Sequence, residues 1–342
     1  MIQRNRLIAL TAAALAGPVI LSGCAASSGS TGDDNTLSIV GFSVLKTANE
    51  PVIAAFQKTD AGKGIRFTTS YGASGDQARA VIGGLHAVEA HLSLEPDMTK
   101  LVDSGDVAKS WNQTPTQGIL TDSVVVFLVR KGNPLNIHGW DDLVKPGVKV
   151  ITPNPESSGS AKWNILAAWA HAANGPGGNE TSANEFVTTL LHHTIAMPGS
   201  GADALSSFVA GNGDVLLAYE NDSIEARASG EDVDYVIPDD TLLIQNPAAV
   251  TTDASPAAQD FLDFQQSVEG QTLYARAGFR PVISGVKTDV PGVETPSDPF
   301  PKVKTLYTLD KDFGGWSQAD PTYFDDEDGI ITKIISGLNI GS

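Results

Sequence analysis

Three turns rich in serine and glycine each come directly before a helical pattern. They occupy residues 70–77 (SYGASGDQ), 153–164 (PNPESSGSAKWN) and 198–203 (PGSGAD). A helix start leaves its first N–H groups unpaired and carries about half a positive charge, so it can bind an anion. Glycine lets a ligand approach the backbone, and serine adds a hydroxyl donor. One such turn is a common way to connect two elements and begin a helix, but three of them predict a shared anion site.

The residues that could catalyse a reaction or bind a metal do not form a recognisable motif. Residues 72–76 (GASGD) lack the final glycine of the G-x-S-x-G elbow of hydrolases. The six histidines include no H-E-x-x-H motif and no pair four residues apart, and we interpret His192 and His193 as surface residues. The acidic run at 325–328 is typical of a solvated face or a helix start. The sequence therefore favours binding over catalysis, and we expect no cofactor and no metal.

The elements that would position these turns alternate between strand and helix along the chain. A helix is predicted to begin at 51–56, and apolar residues between 78 and 85 recur with helical spacing. Strands are predicted at residues 36–41, 65–69, 123–129, 148–151 and 215–219, and residues 85–94 contain a further short strand candidate. The unbroken apolar run at 123–129 is typical of a strand buried on both faces. This alternation predicts an α/β fold with mainly parallel sheets flanked by helices.

The N-terminus has the layout of a bacterial export signal. Arg4 and Arg6 precede an apolar stretch that ends in the four residues LSGC, which resemble a lipobox. Their cysteine, Cys24, is the only one in the chain, which favours lipid attachment over a disulfide. We therefore expect residues 1–24 to be a lipoprotein signal peptide with the lipid on Cys24, followed by a flexible tether at 25–35.

The remaining body is long enough for two lobes. We expect residues 36–121 to form lobe 1 and 122–219 to form lobe 2, while 220–342 return to lobe 1 and place C-terminal helices across both. No later stretch has the ~18 apolar residues of a membrane span, so the lipid is the expected membrane attachment. The net charge is −18, or −20 once the two arginines of the signal are removed. So acidic a body is not expected to bind nucleic acid.

Eight segments of the body, taken in order, resemble the sulfate-binding proteins of bacterial sulfate/thiosulfate ABC importers. The segments are residues 70–77, 127–134, 140–148, 150–155, 158–164, 213–221, 278–281 and 313–316. The resemblance implies a two-lobed type II periplasmic-binding-protein fold that holds an anion between the lobes, mainly through backbone N–H groups. It also implies ABC sulfate permease subunits as partners, and we expect a monomer.

Position by position, the resemblance implies hydrogen-bond donors from both lobes. They are Ser74 N–H from one lobe and, from the other, Ser158 N–H and hydroxyl and the N–H groups of Gly159, Ser160 and Ala202. Tyr219 stands where the family has a tryptophan donor, and Ser43 is a candidate in a first loop that lacks the family's Asp-Pro. Asp76 and Asp203 replace basic residues common in the family. The carboxylate of each either stabilises the start of its own helix or faces the ligand, where it would accept a hydrogen bond from a protonated oxyanion.

The chemistry of sulfate suits such a donor set. At neutral pH sulfate carries no proton and offers only acceptors, so an acceptor facing it would be costly. The acidic body repels a dianion at long range, so binding must depend on local hydrogen bonds. Sulfate, or thiosulfate, is the predicted ligand. The alternatives are phosphate or molybdate in the same cleft, or an extracytoplasmic hydrolase with Ser74 or Ser158 as nucleophile, for which no activating base is apparent.

Overall fold

The computed structural model describes residues 35–338. The predicted signal, Cys24 and all but the last residue of the predicted tether lie outside them. Within the described part, the strands are β1 Thr36–Phe42, β2 Arg66–Gly72, β3 Glu89–His91, β4 Ile119–Arg130, β5 Val150–Ile151, β6 Thr194–Ala196, β7 Val215–Tyr219, β8 Val233–Val236, β9 Asp240–Val250 and β10 Thr305–Tyr307. None of the helices in residues 35–338 is long and apolar enough to cross a membrane.

The helices separate most of these strands. They are α1 Leu45–Phe56, α2 Ser74–Ile82, α3 Glu95–Ser104, α4 Trp140–Leu143, α5 Gly159–Asn174, α6 Glu180–His192, α7 Gly201–Val209, α8 Glu220–Ala228, α9 Pro256–Gln266, α10 Val268–Arg276, α11 Leu309–Phe313, α12 Trp316–Phe324 and α13 Ile330–Ser336. The predicted α/β class is confirmed.

The strands follow the order β2-β1-β3-β9-β4-β7-β5-β6, with β10 paired to β9 and β8 paired to β4. The ladders β1–β2, β1–β3, β5–β6, β5–β7 and β9–β10 are parallel. All four antiparallel ladders involve β4 or β9. These two long strands pair with each other and then diverge, β9 to β3 and β4 to β7, so they connect the two lobes.

The core explains why the predicted strand at 123–129 is accurate. Residues from Val124 to Val129 are at most 2% exposed, because helices cover both faces of β4. The structure extends this strand beyond the prediction at both ends. A strand buried on both faces needs no alternation of polar and apolar residues, even though the ladders of β4 are antiparallel.

The prediction for α1 is wrong about its start. The helix begins at Leu45, so Pro51 lies inside it rather than in its first turn. The buried residues Leu45, Ala48, Val52 and Phe56 share one face, and their contacts with the core hold the helix together despite the missing proline N–H. Tertiary packing thus overrides the local signal of the proline.

Candidate anion-binding site

Each of the three serine- and glycine-rich turns leads into a helix, as predicted. The helices α2, α5 and α7 begin at Ser74, Gly159 and Gly201. Each turn also follows a strand that belongs to a parallel ladder: β2, β5 or β6. Ligands of α/β proteins bind outside the carboxyl ends of such strands. The local sequence therefore places all three helix starts where a ligand cleft is expected.

Close contacts bring the starts of α2 and α5 together. The N–H of Gly75 donates to the carbonyl oxygen of Ser157, which lies just before α5, at 3.2 Å. A Cβ placed on Gly159 would lie 2.6 Å from the Oγ of Ser93, the residue that follows β3 by two positions. The space between the two lobes at this point therefore admits only a glycine backbone.

The start of α7 joins the same cluster. A Cβ placed on Gly201 would lie 3.0 Å from Ser160 Oγ and 3.2 Å from a methyl carbon of Val44. The N–H of Ala202 donates to Ser43 Oγ at 3.3 Å. The loop after β1 therefore meets α7, and the seven residues predicted to bind the anion lie in one connected region.

The predicted donors differ in how their N–H groups are used. Those of Ser74, Gly159 and Ser160 donate to no acceptor within residues 35–338. The N–H of Ser158 donates to the Asn154 carbonyl oxygen at 2.8 Å, and that of Ala202 is held by the long bond to Ser43. Three backbone donors are thus left without an acceptor in the described part of the chain.

The hydroxyl groups near the helix starts form pairs. Ser158 Oγ and Ser160 Oγ lie 2.8 Å apart, and either can be the donor. Ser74 Oγ donates to Asp97 Oδ2 at 2.7 Å and accepts from Ser93 N–H at 2.9 Å. The proton of Ser74 is therefore directed to Asp97, whereas a pair of serine hydroxyls always leaves one hydrogen for another acceptor.

Tyr219 reaches the site from the end of β7. Its side chain is fully buried, and its hydroxyl lies 2.7 Å from Ser93 Oγ. Burial raises the pKa of Tyr219 above its usual range, and the hydrogen bond with Ser93 only partly offsets this effect. The phenol therefore stays protonated and can donate a hydrogen bond.

Sequence reasoning missed Ser93 and Asp97. Both are almost fully buried, and Asp97 pairs with Lys100 at 3.0 Å in addition to Ser74. The sequence does carry a weak signal for Ser93, because a polar residue that closely follows a strand and precedes a helix repeats the logic of the three turns. Nothing in the pattern indicates Asp97, whose partner is 23 positions away.

The two acids that replace basic residues of the family are exposed, and each carboxylate bonds to a residue three positions away in the chain. Asp76 is exposed and pairs with Arg79 of the same helix. Asp203 is also exposed, and its carboxylate accepts from Ser200 Oγ at 2.7 Å while its N–H donates to the same oxygen. Both lie in the first turn of a helix, where a negative charge is favourable. The geometry supports the capping interpretation over a ligand-facing role.

The structure agrees with the surface interpretation of His192 but not with that of His193, whose Nδ1 is buried. His192 is exposed and His193 is half-buried. Residues 325–328 are exposed between α12 and α13, and Asp325 Oδ1 accepts N–H bonds from the two residues that end this run. Within residues 35–338, no group of histidines and acids could hold a metal ion.

Comparisons with known proteins identify the family of this chain. Residues 37–280 match the family of bacterial extracellular solute-binding proteins. The sulfate-binding protein of Synechococcus elongatus is 36% identical over 338 residues, which cover 94% of each chain. The thiosulfate-binding protein of Pseudomonas aeruginosa is 32% identical over 311 residues, covering 87% of this chain and 91% of that protein.

A solved structure gives the same result. The sulfate-binding protein SubI from Mycobacterium tuberculosis is 44% identical to this chain, with a TM-score of 0.80. The match covers 85% of this chain and 100% of the SubI chain. The two-lobed fold inferred from the divergence of β4 and β9 is therefore that of a solved binding protein. The chain belongs to the family of bacterial extracellular solute-binding proteins, within the group of sulfate- and thiosulfate-binding proteins.

Proposed function

We propose that this chain captures sulfate, or thiosulfate, in the cleft where α2, α5 and α7 begin and delivers it to the permease of an ABC importer. One observation carries the proposal: three helix starts from two lobes meet at a buried cluster of N–H and hydroxyl donors. The relatives named for sulfate and thiosulfate binding support this choice of ligand.

The proposed ligand contacts come from the groups that the protein leaves accessible. The N–H groups of Ser74, Gly159 and Ser160 point the positive ends of α2 and α5 at the anion. The paired hydroxyls of Ser158 and Ser160 supply one O–H donor, since one hydrogen of the pair is always available. The N–H of Ser158 contributes nothing unless its bond to Asn154 breaks.

Two further donors complete the proposed site. Tyr219 takes the place of the family's tryptophan, because its buried phenol remains protonated and its oxygen lies beside Ser93. The N–H of Ala202 turns from Ser43 to the anion when the ligand enters, because its 3.3 Å bond is longer than usual. Ser43 then has the role of positioning the start of α7.

The donors proposed for the anion carry no formal charge. A dianion held by such groups is neutralised by partial charges of the backbone, and it can be released more readily than one held in a dry ion pair. The acidic body favours release as well, because its long-range field repels the anion once the lobes open. These properties suit a protein that must transfer its ligand.

A transport role also fits the serines better than hydrolysis does. Ser158 is bonded to another hydroxyl, and the partner of Ser74 is a carboxylate. A carboxylate alone is too weak a base to activate a serine at neutral pH. We therefore propose that the protein binds its ligand without chemical change.

The family's location outside the cytoplasm applies to this chain. We further propose that the mature protein is a monomer held at the outer face of the membrane by a lipid on Cys24. Replacing Cys24→Ala should abolish incorporation of labelled fatty acid and release the protein from the membrane fraction. Retention of the label by this variant would contradict the proposal.

The ligand is tested by calorimetric titration of the full-length chain in detergent at neutral pH. Sulfate should give a saturable heat, which thiosulfate should compete for and phosphate and molybdate should not. The proposal fails if neither sulfate nor thiosulfate binds while phosphate or molybdate does.

A further inference from the structure

Ser93 has contacts in both lobes, and every one of its polar groups is hydrogen-bonded. Its N–H donates to Ser74 Oγ at 2.9 Å. Its carbonyl oxygen accepts from Trp163 Nε1 on α5 and from Asn246 Nδ2 on β9, each at 2.9 Å. Its side-chain oxygen lies 2.7 Å from the hydroxyl of Tyr219. The backbone of Ser93 is therefore fixed by three bonds that do not involve its side chain.

The Ser93 hydroxyl is therefore not needed to fix the backbone at this position. It lies beside the start of α5, as its 2.6 Å distance from a Cβ placed on Gly159 indicates. It is also next to the first residue of α2, because Ser74 bonds to its N–H. Ser93 and Tyr219 are 1% and 0% exposed, so water cannot substitute for either partner.

The phenol oxygen of Tyr219 has few remaining ways to bond. Its hydroxyl lies 2.7 Å from Ser93 Oγ, whereas the Asn246 amide donates to the carbonyl oxygen of Ser93. A phenol oxygen carries its hydrogen and its main lone pair in the ring plane, on opposite sides of the C–O bond. When Ser93 donates to that lone pair, the O–H of Tyr219 must point away from Ser93, and we place the anion on that side. In this state the phenol acts as a donor and offers no lone pair to a ligand.

We infer that Ser93 is a specificity-determining residue: its hydroxyl fills the acceptor side of Tyr219, so that Tyr219 presents only a hydrogen to the bound oxyanion. The inference rests on the proposed function and deepens it. A proton-free oxyanion such as sulfate accepts this hydrogen. An oxyanion that keeps a proton, such as hydrogen phosphate, has an O–H that finds no acceptor at this position and loses affinity.

Removal of the hydroxyl should relax this selection. In the Ser93→Ala variant the phenol oxygen regains an accessible lone pair, so Tyr219 can either donate to the ligand or accept from it. Sulfate should bind about tenfold more weakly, because the direction of the Tyr219 hydrogen is no longer fixed. Hydrogen phosphate should lose nothing or gain, so the ratio of the phosphate to the sulfate dissociation constant should fall by at least about tenfold.

The experiment measures both dissociation constants by calorimetry on the full-length chain, for the wild type and for Ser93→Ala. Thr194→Val is the matched control, because it removes an equally buried hydroxyl that bonds a carbonyl oxygen, that of Leu190, outside the site. This control should leave the ratio unchanged. Thermal unfolding checks that each variant is folded.

A second variant keeps the inference testable if Ser93→Ala alters the cleft in other ways. Tyr219→Phe removes the phenol oxygen, so adding Ser93→Ala to it should change the ratio by less than about twofold. An unchanged ratio in Ser93→Ala, or an equal change with and without the phenol, would overturn the role of Ser93. Failure of the wild type to bind sulfate or thiosulfate would instead refute the proposed function.

Discussion

Two buried polar regions of this protein differ in how their hydrogen-bonding groups are satisfied. The anion cleft, where α2, α5 and α7 begin, contains backbone donors that have no acceptor among residues 35–338. The second region, which we call the lobe 1 polar cluster, consists of Asn49, Tyr71, Glu89, Gln265 and Tyr274. Its members mostly bond to one another: Tyr274 donates to Asn49 at 2.8 Å, and Gln265 donates to Tyr274 at 3.0 Å.

The acid in the lobe 1 polar cluster shows the difference most clearly. Glu89 is fully buried, its carboxyl oxygens have no hydrogen-bond partner within residues 35–338, and burial raises its pKa to about 8. At neutral pH the carboxyl is therefore mostly protonated. The cluster adjusts its own protonation to avoid a buried charge, whereas the cleft leaves donors for a charge that comes from outside. Burial of polar groups alone thus does not identify a binding site.

The largest expected effect comes from closing the space at the start of α5. In Gly159→Ala the new methyl group would lie 2.6 Å from Leu94 Cδ2 and from Ser93 Oγ, so the lobes could not approach around the anion. We expect sulfate affinity to fall at least about a hundredfold, equivalent to about 2.7 kcal/mol. Calorimetry measures this.

Gly199→Ala is the matched control for that prediction. It lies in the third turn, and a Cβ there would meet nothing within 4 Å. Its affinity should stay within about threefold of the wild type. Equal losses in both variants would mean that the turns need flexibility rather than close approach.

The second-largest effect is expected from removing the side chain of Ser74, whose hydroxyl donates to the carboxylate of Asp97. Ser74→Ala leaves the carboxylate of Asp97 and the N–H of Ser93 without this partner in a buried place. Unfolding in urea should show a loss of about 2 kcal/mol. Sulfate affinity should fall less than tenfold, because the backbone N–H of residue 74 remains.

The exposed Ser229, whose hydroxyl bonds carbonyl oxygens of its own helix, provides the comparison for that stability measurement. Ser229→Ala should change stability by less than about 0.5 kcal/mol. A loss of similar size in the two variants would remove the special role of Ser74.

A smaller effect, on the pH dependence of stability, is expected from Glu89 in the lobe 1 polar cluster. The folded-state pKa of Glu89, about 8, exceeds its ordinary value of 4.5, so between these values the folded state binds more protons than the unfolded state. Stability from this group is complete below about pH 4.5 and is lost as pH rises towards 8. Between pH 7 and 8 the wild type should lose about 1 kcal/mol more stability than Glu89→Gln does.

Two other buried groups titrate at lower pH. Burial lowers the pKa of His91 to about 3 and raises that of Asp122 to about 7. The difference between the wild type and Glu89→Gln cancels both contributions. Denaturant titrations at pH 7 and 8 measure it, and sulfate affinity should not change. Parallel pH profiles for the two proteins would contradict a protonated Glu89.

The smallest effect is expected for Asp76, the exposed acid in the first turn of α2. Asp76→Asn removes an exposed pair with Arg79, which should alter stability by less than about 0.5 kcal/mol. Sulfate affinity should stay within about twofold, as measured by competition with unlabelled sulfate. An increase of tenfold or more would mean that the Asp76 carboxylate faces the ligand.

The sequence predicts the parts of the site that local patterns determine. The helix starts at Ser74, Gly159 and Gly201 follow from serine, glycine and the apolar spacing that comes after them. Ser93 and Asp97 could not be found in this way, because their partners are distant in sequence: Tyr219 is 126 positions from Ser93. The use of the Ser158 N–H by Asn154 was also invisible, since it depends on the turn geometry before α5.

The central claim is that backbone amides at two helix starts bind a proton-free dianion. Titration of the ¹⁵N-labelled chain with sulfate, followed by amide resonances, tests it most directly. The amide protons of Ser74, Gly159 and Ser160 should shift strongly downfield and saturate together, while the already bonded amide of Ser158 moves little. Saturable sulfate binding that leaves those three resonances in place would contradict the account.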